Sequence, residues 1–165
     1  MRARSLLVLV AVLQFAVSPP LAALQLRTTA EPPPQLIGTW RLNVAKSKYT
    51  PGPALRSETR VYTRGADGVH GVVSRVHADG RPEKFEYTAN FGKDIMVTGI
   101  PDYDAVTLRK VDELTSDAVL SHAGVVFGVA RRTIAADGKT MTITFDRKSN
   151  ELRIHNVAVY DKVSN

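Results

Sequence analysis

The sequence LIGTWRLN, residues 36–43, contains the only tryptophan of the 165-residue chain and separates two kinds of sequence. A hydrophobic leader and a proline run precede it, and short segments rich in β-branched residues follow it. We interpret these eight residues as the first strand of a closed antiparallel barrel. Gly38 and Trp40 are predicted to have structural roles, with the indole of Trp40 plugging one end of the barrel.

Apolar and polar residues alternate repeatedly after residue 43. Residues 84–91 (KFEYTANF) and 140–145 (TMTITF) each place apolar side chains on one face and polar side chains on the other. This period of two is typical of half-buried strands, and no segment shows a sustained helical period. The Asp-Gly pairs at 67–68, 79–80 and 137–138 favour tight hairpins. We predict ten strands, near 36–43, 56–64, 69–78, 82–91, 95–98, 104–111, 117–123, 125–135, 139–147 and 152–162.

Many short strands joined by hairpins indicate either a sandwich or an up-and-down barrel. Sequential hairpins leave two exposed edge strands unless the terminal strands pair, so closure into an all-β, antiparallel barrel of about 8–10 strands is favoured. Residues 44–55, which contain Pro51 and Pro53, are too proline-rich for a strand and are expected to cross one mouth of the barrel as a lid. Tyr49 and Tyr103, in two irregular loops, are expected to flank that mouth.

The N-terminus has the anatomy of a secretory signal peptide. A short basic start is followed by an apolar run over residues 6–17 and by small residues suited to cleavage near Ala23. We therefore predict a signal peptide over 1–23, a proline-rich linker over 24–35 and a barrel domain over 36–165, in a periplasmic or secreted protein with no stable membrane span after cleavage. An uncleaved N-terminal anchor is the alternative, although the apolar run is short for a membrane span.

Composition excludes several classes of site. The chain has no cysteine, which excludes disulfides and thiolate chemistry. Its net charge of +6 falls to +4 when Arg2 and Arg4 of the leader are left out. The remaining basic residues are spread along the strands, so nucleic-acid binding is not expected.

Catalytic and metal-binding motifs are absent from the sequence. The four histidines, His70, His77, His122 and His155, do not have the spacing of a local metal site, and no nucleophile elbow or phosphate-binding loop occurs. Asp102 and Asp104 are best explained by a solvated loop. We accordingly predict no catalytic residue, no metal and no cofactor.

Two motifs at the ends of the domain carry a family resemblance. Gly38-Thr39-Trp40 resembles the G-x-W opening strand of lipocalins and fatty-acid-binding proteins, and residues 159–163 (VYDKV) resemble the closing strand of the latter. Residues 92–94, 97–99 and 156–160 also look like a group of small secreted bacterial lipocalin-like proteins of unsettled function. The resemblance implies a barrel of the calycin type, in which the opening and closing strands are neighbours and the lumen binds a small apolar ligand.

The sequence departs from the fatty-acid-binding pattern in two places. That family has an arginine two residues before the tail tyrosine, where it holds the ligand carboxylate; this chain has Ala158 before Tyr160. The helix pair that the family inserts after its first strand has no counterpart in residues 44–55. Tyr160 therefore carries over from the family, whereas the arginine does not.

Strand parity supplies the candidate ligand-binding residues. If the face of Tyr87 points inward, its hydroxyl enters the lumen, and Tyr160 shares a face with Asn156. The face of Phe127 would carry Arg131 inward. Tyr62 is a further candidate, although its face also holds Glu58, Arg60 and Arg64. Arg131 or Arg153 is expected to stack on Trp40.

We predict from these features a binder of a small apolar molecule in the barrel lumen. The alternatives are an isomerase or cyclase on the same barrel, which would need a His or carboxylate inside the cavity, and an envelope interaction protein with a filled core. The loops around Tyr49 and Tyr103 would be the contacts of such an interaction protein.

Overall fold

The computed structural model describes residues 32–65, 68–89, 94–96, 103–148 and 153–165. The predicted signal peptide and most of the predicted linker lie outside these residues, as does Asp102. Within them all ten predicted strands are present, and one more strand was not predicted. The strands are β1 (Gly38–Leu42), β2 (Lys48–Thr50), β3 (Ser57–Gly65), β4 (Gly68–Val76), β5 (Pro82–Ala89), β6 (Asp94–Met96), β7 (Ala105–Lys110), β8 (Thr115–His122), β9 (Val125–Ile134), β10 (Thr140–Lys148) and β11 (Arg153–Ser164).

The strands form one antiparallel sheet that curls into a nearly closed barrel. The order of hydrogen-bonded neighbours is β5-β4-β3-β1-β11-β10-β9-β8-β7-β6, and β2 pairs with β11 off this path. Consecutive strands pair from β3 to β5 and from β6 to β11, and β1 joins the two series by pairing with β3 and with β11. Leu42 faces Tyr160 and Trp40 faces Lys162 across the β1–β11 ladder. This arrangement confirms the prediction of an all-β, up-and-down barrel of the lipocalin-like type.

The segment predicted to be a lid instead continues the first strand. After β1 a single 3-10 turn, Val44–Lys46, interrupts the chain, and β2 then pairs with β11 through Tyr49 and Asn156. Asn43 stabilises the interruption, because its side-chain oxygen accepts a hydrogen bond from Lys46 N at 3.1 Å. The prediction that this segment contains no strand is wrong, since the prolines follow β2 and leave residues 48–50 free to pair. The described residues contain two 3-10 turns, Pro34–Leu36 and Val44–Lys46, and neither is long and apolar enough to cross a membrane.

Trp40 closes one end of the barrel. Its side chain is fully buried together with that of Leu36, and Nε1 donates a hydrogen bond to Leu36 O at 2.8 Å. Lys162, and not an arginine, lies over the indole, with Nζ 5.3 Å from the ring centroid, so the expectation of stacking by Arg131 or Arg153 is wrong. Pro32 and Pro33 are also buried, which places the last residues of the predicted linker in the packed domain.

Gly38 is required where β1 begins. Its φ is +126°, and an added Cβ would lie 2.3 Å from the Ser164 carbonyl oxygen on the paired strand. A side chain here would therefore separate β1 from β11 at the closed end. The backbone position explains a glycine at the start of the motif without any functional role for it.

We expect Gly38→Ala to lower the free energy of unfolding by about 2–3 kcal/mol, because it adds steric overlap to an unfavourable φ. Gly124→Ala is the matched control, since Gly124 has a φ of +78° and nothing within 4 Å of an added Cβ. Urea unfolding followed by tryptophan fluorescence measures both. Equal losses in the two variants would contradict the steric explanation.

Candidate functional site

The barrel encloses a cavity of about 370 Å³. Most of its wall is apolar or aromatic, and strands β2 to β5 and β7 to β11 contribute residues to it. Tyr49 and Tyr103 both line the cavity, and Trp40 does not. Tyr49 lies in strand β2, so the prediction that it sits in an irregular loop is wrong. The apolar part of the wall includes Leu55, Phe85, Val106, Leu108, Ala118, Leu120, Phe127, Ala130, Ile143, Phe145, Ile154 and Ala158.

A buried carboxylate anchors the polar part of the wall. The Glu58 side chain is 1% exposed, and its Oε1 accepts hydrogen bonds from Tyr160 Oη at 2.6 Å and from Arg60 Nε at 2.5 Å. Arg60 Nε also lies 3.3 Å from Tyr160 Oη, and its guanidinium carbon is 5.4 Å from the centre of the Tyr160 ring. The charge of Glu58 is thus compensated inside the barrel, as a buried carboxylate requires.

This cluster keeps the Tyr160 hydroxyl protonated. Burial raises the pKa of Tyr160 well above its ordinary value; the nearby charge of Arg60 opposes this, and that of Glu58 adds to it. For Arg60, burial is the largest effect and disfavours the charged form, but Glu58 and the three neighbouring tyrosines together outweigh it and raise the pKa well above its ordinary value. Tyr160 therefore acts as a hydrogen-bond donor and Arg60 as a permanent cation.

Two further tyrosine hydroxyls meet beside the cluster. Tyr87 Oη donates to Tyr62 Oη at 3.4 Å, and Arg60 Nη1 lies 3.5 Å from the same oxygen. Burial raises the pKa of Tyr62, but the charges of Arg60 and Arg132 and these hydrogen bonds outweigh it and hold the pKa below its ordinary value. Burial and the neighbouring Tyr62 raise the pKa of Tyr87. The Tyr62 oxygen is consequently the acceptor of the pair.

The arginines of the wall differ in how their charges are balanced. Arg60 is paired with Glu58, and Arg75 forms a short ion pair with Glu83. Arg132 stacks on Tyr62, with its guanidinium carbon 5.6 Å from the ring centre, and none of the ion pairs among the described residues includes it. Arg147, the fourth arginine of the wall, stacks on Phe127 with its guanidinium carbon 4.0 Å from the ring centre, and none of the ion pairs among the described residues includes it. The cavity wall therefore has positive charges at Arg132 and Arg147 that no described carboxylate balances.

Four of the five predicted ligand-binding residues lie on the cavity wall. Tyr62, Tyr87, Asn156 and Tyr160 all line it, and the side chain of Tyr62 is buried rather than on the outer surface. The three tyrosines, Tyr62, Tyr87 and Tyr160, belong to the hydrogen-bonded group around Arg60, and Asn156 does not. Their role in binding a ligand stays a prediction.

Arg131 lies outside the barrel, and the prediction that it faces the lumen is wrong. The pairing of β8 with β9 changes register, so that Leu120 faces Gly128 while Ser121 faces Val126, and Phe127 is the extra residue. This bulge reverses the alternation: Phe127 lines the cavity, but beyond it Ala130 and Arg132 do so instead of Val129 and Arg131.

On the outer surface Arg131 forms a bidentate pair with Asp117. Its Nε and Nη2 donate to the two carboxylate oxygens at 2.7 and 2.9 Å. These hydrogen bonds, joined by that of Arg109, hold the pKa of Asp117 down at about 2. Arg131 thus has a local structural partner on the neighbouring strand.

The sequence-based reasoning missed the charged residues of the lumen, namely Glu58, Arg60, Arg75, Arg132 and Arg147. A signal for two of them was present, because Glu58, Arg60 and Tyr62 alternate along β3 and share its inner face. The closing strand has Ala158 where the resembling family has an arginine, but Arg60 of β3 lies within hydrogen-bonding distance of Tyr160. Arg60 is on a different strand from Tyr160, so the sequence of the closing strand does not indicate it.

None of the four histidines lines the cavity. Each lies within 4 Å of one carboxylate: His70 near Glu86, His77 near Glu83, His122 near Asp104 and His155 near Asp146. In the part of the chain that the structure describes, no three metal-ligating side chains come together. Among the described residues that line the cavity, Glu58 is the carboxylate that an enzyme on this barrel could use.

We expect Tyr160→Phe to lower the free energy of unfolding by about 1–3 kcal/mol, because it removes a hydrogen bond from a buried carboxylate. Tyr103→Phe, which deletes a hydroxyl from the same cavity wall, is the control and should change stability by less than about 1 kcal/mol. Urea unfolding at neutral pH measures both. A loss in Tyr160→Phe no larger than in the control would contradict the role assigned to the Glu58–Tyr160 bond.

Comparison with known proteins gives structural likenesses only. No known family profile matches the sequence, and no curated protein matches it significantly. One similar solved structure is the zebrafish ileal bile-acid-binding protein complexed with cholic acid, at 8% identity and a TM-score of 0.46, over 78% of this chain and 99% of that one. Another is the siderocalin Ex-FABP, at 10% identity and a TM-score of 0.35, over 78% of this chain and 74% of that one.

Proposed function

We propose that the protein binds a small, mainly apolar molecule with an acidic group in the lumen of its barrel, outside the cytoplasm. The observation that carries this proposal is the cavity of about 370 Å³ with an apolar wall and a few convergent polar side chains. Ligand sites of small molecules generally have a volume of roughly 300–1,000 Å³ and this kind of lining. A cavity of this size fits a ligand of modest length.

The acidic group follows from the charges of the wall. Arg60 and Arg75 are compensated by Glu58 and Glu83, whereas Arg132 and Arg147 have only aromatic contacts among the described residues. A guanidinium in a largely apolar cavity is stabilised by an anion, and its planar donors suit a carboxylate or sulfonate. We assign the acidic group of the ligand to Arg132, because it contacts Tyr62 of the polar cluster, whereas Arg147 contacts the apolar ring of Phe127.

The two alternative functions are less well supported. The interaction protein with a filled core is contradicted by the cavity. An enzyme would use a group that exchanges protons with the ligand, but Glu58, the carboxylate of the wall, is already held by Arg60 and Tyr160. Binding without covalent chemistry accounts for the polar residues of the wall and does not require Glu58 to exchange a proton with the ligand.

Two fluorescent probes that differ in one group test the proposal. 8-Anilinonaphthalene-1-sulfonate has an acidic group, and N-phenyl-1-naphthylamine has the same aromatic body without it. We expect one-site binding of both to the purified domain. Arg132→Gln should raise the Kd of the sulfonate about tenfold, the value of one charge-assisted contact, and leave that of the neutral probe within about twofold.

Arg131→Gln is the matched control, because Arg131 is the neighbouring arginine on the outer surface. It should leave both dissociation constants unchanged. If neither probe binds the wild-type domain, the proposed function is wrong. If both arginine variants weaken the sulfonate equally, the assignment of Arg132 is wrong and a general surface charge effect replaces it.

The extracytoplasmic location rests on the leader sequence alone. Its basic start, apolar run and small residues near Ala23 support export followed by cleavage. We expect the mature protein in the periplasmic or culture fraction of its own cells, with an intact mass that corresponds to a new N-terminus close to residue 24. A full-length mass in the membrane fraction would instead support the uncleaved anchor.

A further inference from the structure

Tyr49 presents a hydroxyl that the fold does not use. Its Oη is buried and has no hydrogen-bond partner among the described residues, although the side chain lines the cavity. Burial is the main cause that raises the pKa of Tyr49 to about 12, so the group is an O–H donor at neutral pH. An unpaired buried hydroxyl costs roughly 1–3 kcal/mol of stability, which calls for a reason to retain it.

Asn156 lies directly opposite Tyr49 in the β2–β11 ladder and also lines the cavity. Its Oδ1 accepts a hydrogen bond from Thr50 N at 3.2 Å, which fixes the orientation of the side-chain amide. The Nδ2 group is then the end that makes no hydrogen bond with the described residues. Directly opposed residues have Cβ atoms about 4.5–5.5 Å apart, so the two side chains form a pair of neighbouring donors.

We propose that Tyr49 and Asn156 form a subsite that donates hydrogen bonds to an uncharged oxygen acceptor, such as a ketone, in the apolar body of the ligand. This inference rests on the proposed function and narrows its ligand class. The ligand then has two polar points: an acidic group and a separate carbonyl-type oxygen.

An uncharged acceptor fits this subsite better than a second anion. Glu58 contributes to the raised pKa of Tyr49, which shows that its carboxylate is close enough to disfavour negative charge there. Arg60 and Arg75 act in the opposite direction, but each is already paired with a carboxylate. A neutral carbonyl oxygen accepts from both donors without adding charge beside Glu58.

The subsite is also formed by the part of the fold that was not predicted. Residues 48–50 pair with β11 only because the 3-10 turn at Val44–Lys46 shifts the chain after β1. Val159 N donates to Ser47 Oγ at 2.9 Å and holds that shift in place. The interruption thus fixes Tyr49 opposite Asn156 on the inner wall.

Dodecanoic acid and its 4-, 6-, 8- and 10-oxo derivatives test the inference by displacing 8-anilinonaphthalene-1-sulfonate. We expect at least one oxo acid to bind the wild-type domain about fivefold more tightly than dodecanoic acid, as one to two hydrogen bonds allow. Tyr49→Phe should abolish this preference, so that the Kd values of the oxo acid and of dodecanoic acid come within about twofold of each other. Tyr103→Phe, which removes a hydroxyl elsewhere on the wall, should retain the preference.

Thermal unfolding of the ligand-free domain gives the second readout. Tyr49→Phe should have a Tm equal to or above that of the wild type, because it removes an unpaired buried hydroxyl. A lower Tm would show that the hydroxyl has a structural partner and would overturn the inference.

The binding outcomes separate the two proposals. Binding of dodecanoic acid with no preference for any oxo acid, or a preference that survives Tyr49→Phe, overturns the subsite alone. Failure of the probe and of every acid to bind the wild-type domain overturns the proposed function and the subsite with it.

Discussion

The pairing of β1 with β11 is the contact on which the rest of the structure depends. It joins the two ends of the domain, which converts a row of hairpins into a barrel and gives the first and last strands partners on both sides. The same ladder places Lys162 of β11 over the buried indole of Trp40 of β1, with Nζ 5.3 Å from the ring centroid. The backbone freedom of Gly38 permits the close approach.

Closure also determines what the lumen contains. Tyr160 of β11 meets Glu58 and Arg60 of β3 because β1, which lies between these strands, draws them onto one curved wall. The partners are about one hundred residues apart in sequence, so their hydrogen bonds form only after the chain ends have met. The polar cluster and the barrel are thus expected to be lost together on unfolding.

The sequence was sufficient to predict ten of the eleven described strands, the hairpins and the neighbouring opening and closing strands. These depend on local alternation and on Asp-Gly turns, which are read from a few adjacent residues. The inward side of β9 was not predictable in the same way, because one extra residue at Phe127 reverses every side chain that follows it. For that reason Arg132 lines the cavity, where Arg131 was predicted, and Arg131 lies on the outer surface.

Polar residues at the lumen were missed for a different reason. Alternation identifies a face, but a face that mixes Glu58, Arg60 and Tyr62 is typical of a solvated surface until the partners on other strands are known. Arg60 could not be linked to Tyr160, nor Tyr49 to Asn156, without the register of strands distant in sequence. The residues nearest the cavity are therefore those for which local patterns were least informative.

The buried charges point to selection for something other than stability. Replacing a buried ion pair by well-packed apolar side chains is often neutral or stabilising by about 1–4 kcal/mol. This barrel nevertheless keeps Glu58 and Arg60 inside, adds Arg132 without a described carboxylate, and leaves the Tyr49 hydroxyl unpaired. A filled apolar core would satisfy the fold better. The same groups are what an open lumen needs to orient a ligand that has both apolar and polar parts, and this makes binding the simplest physical reason for the arrangement.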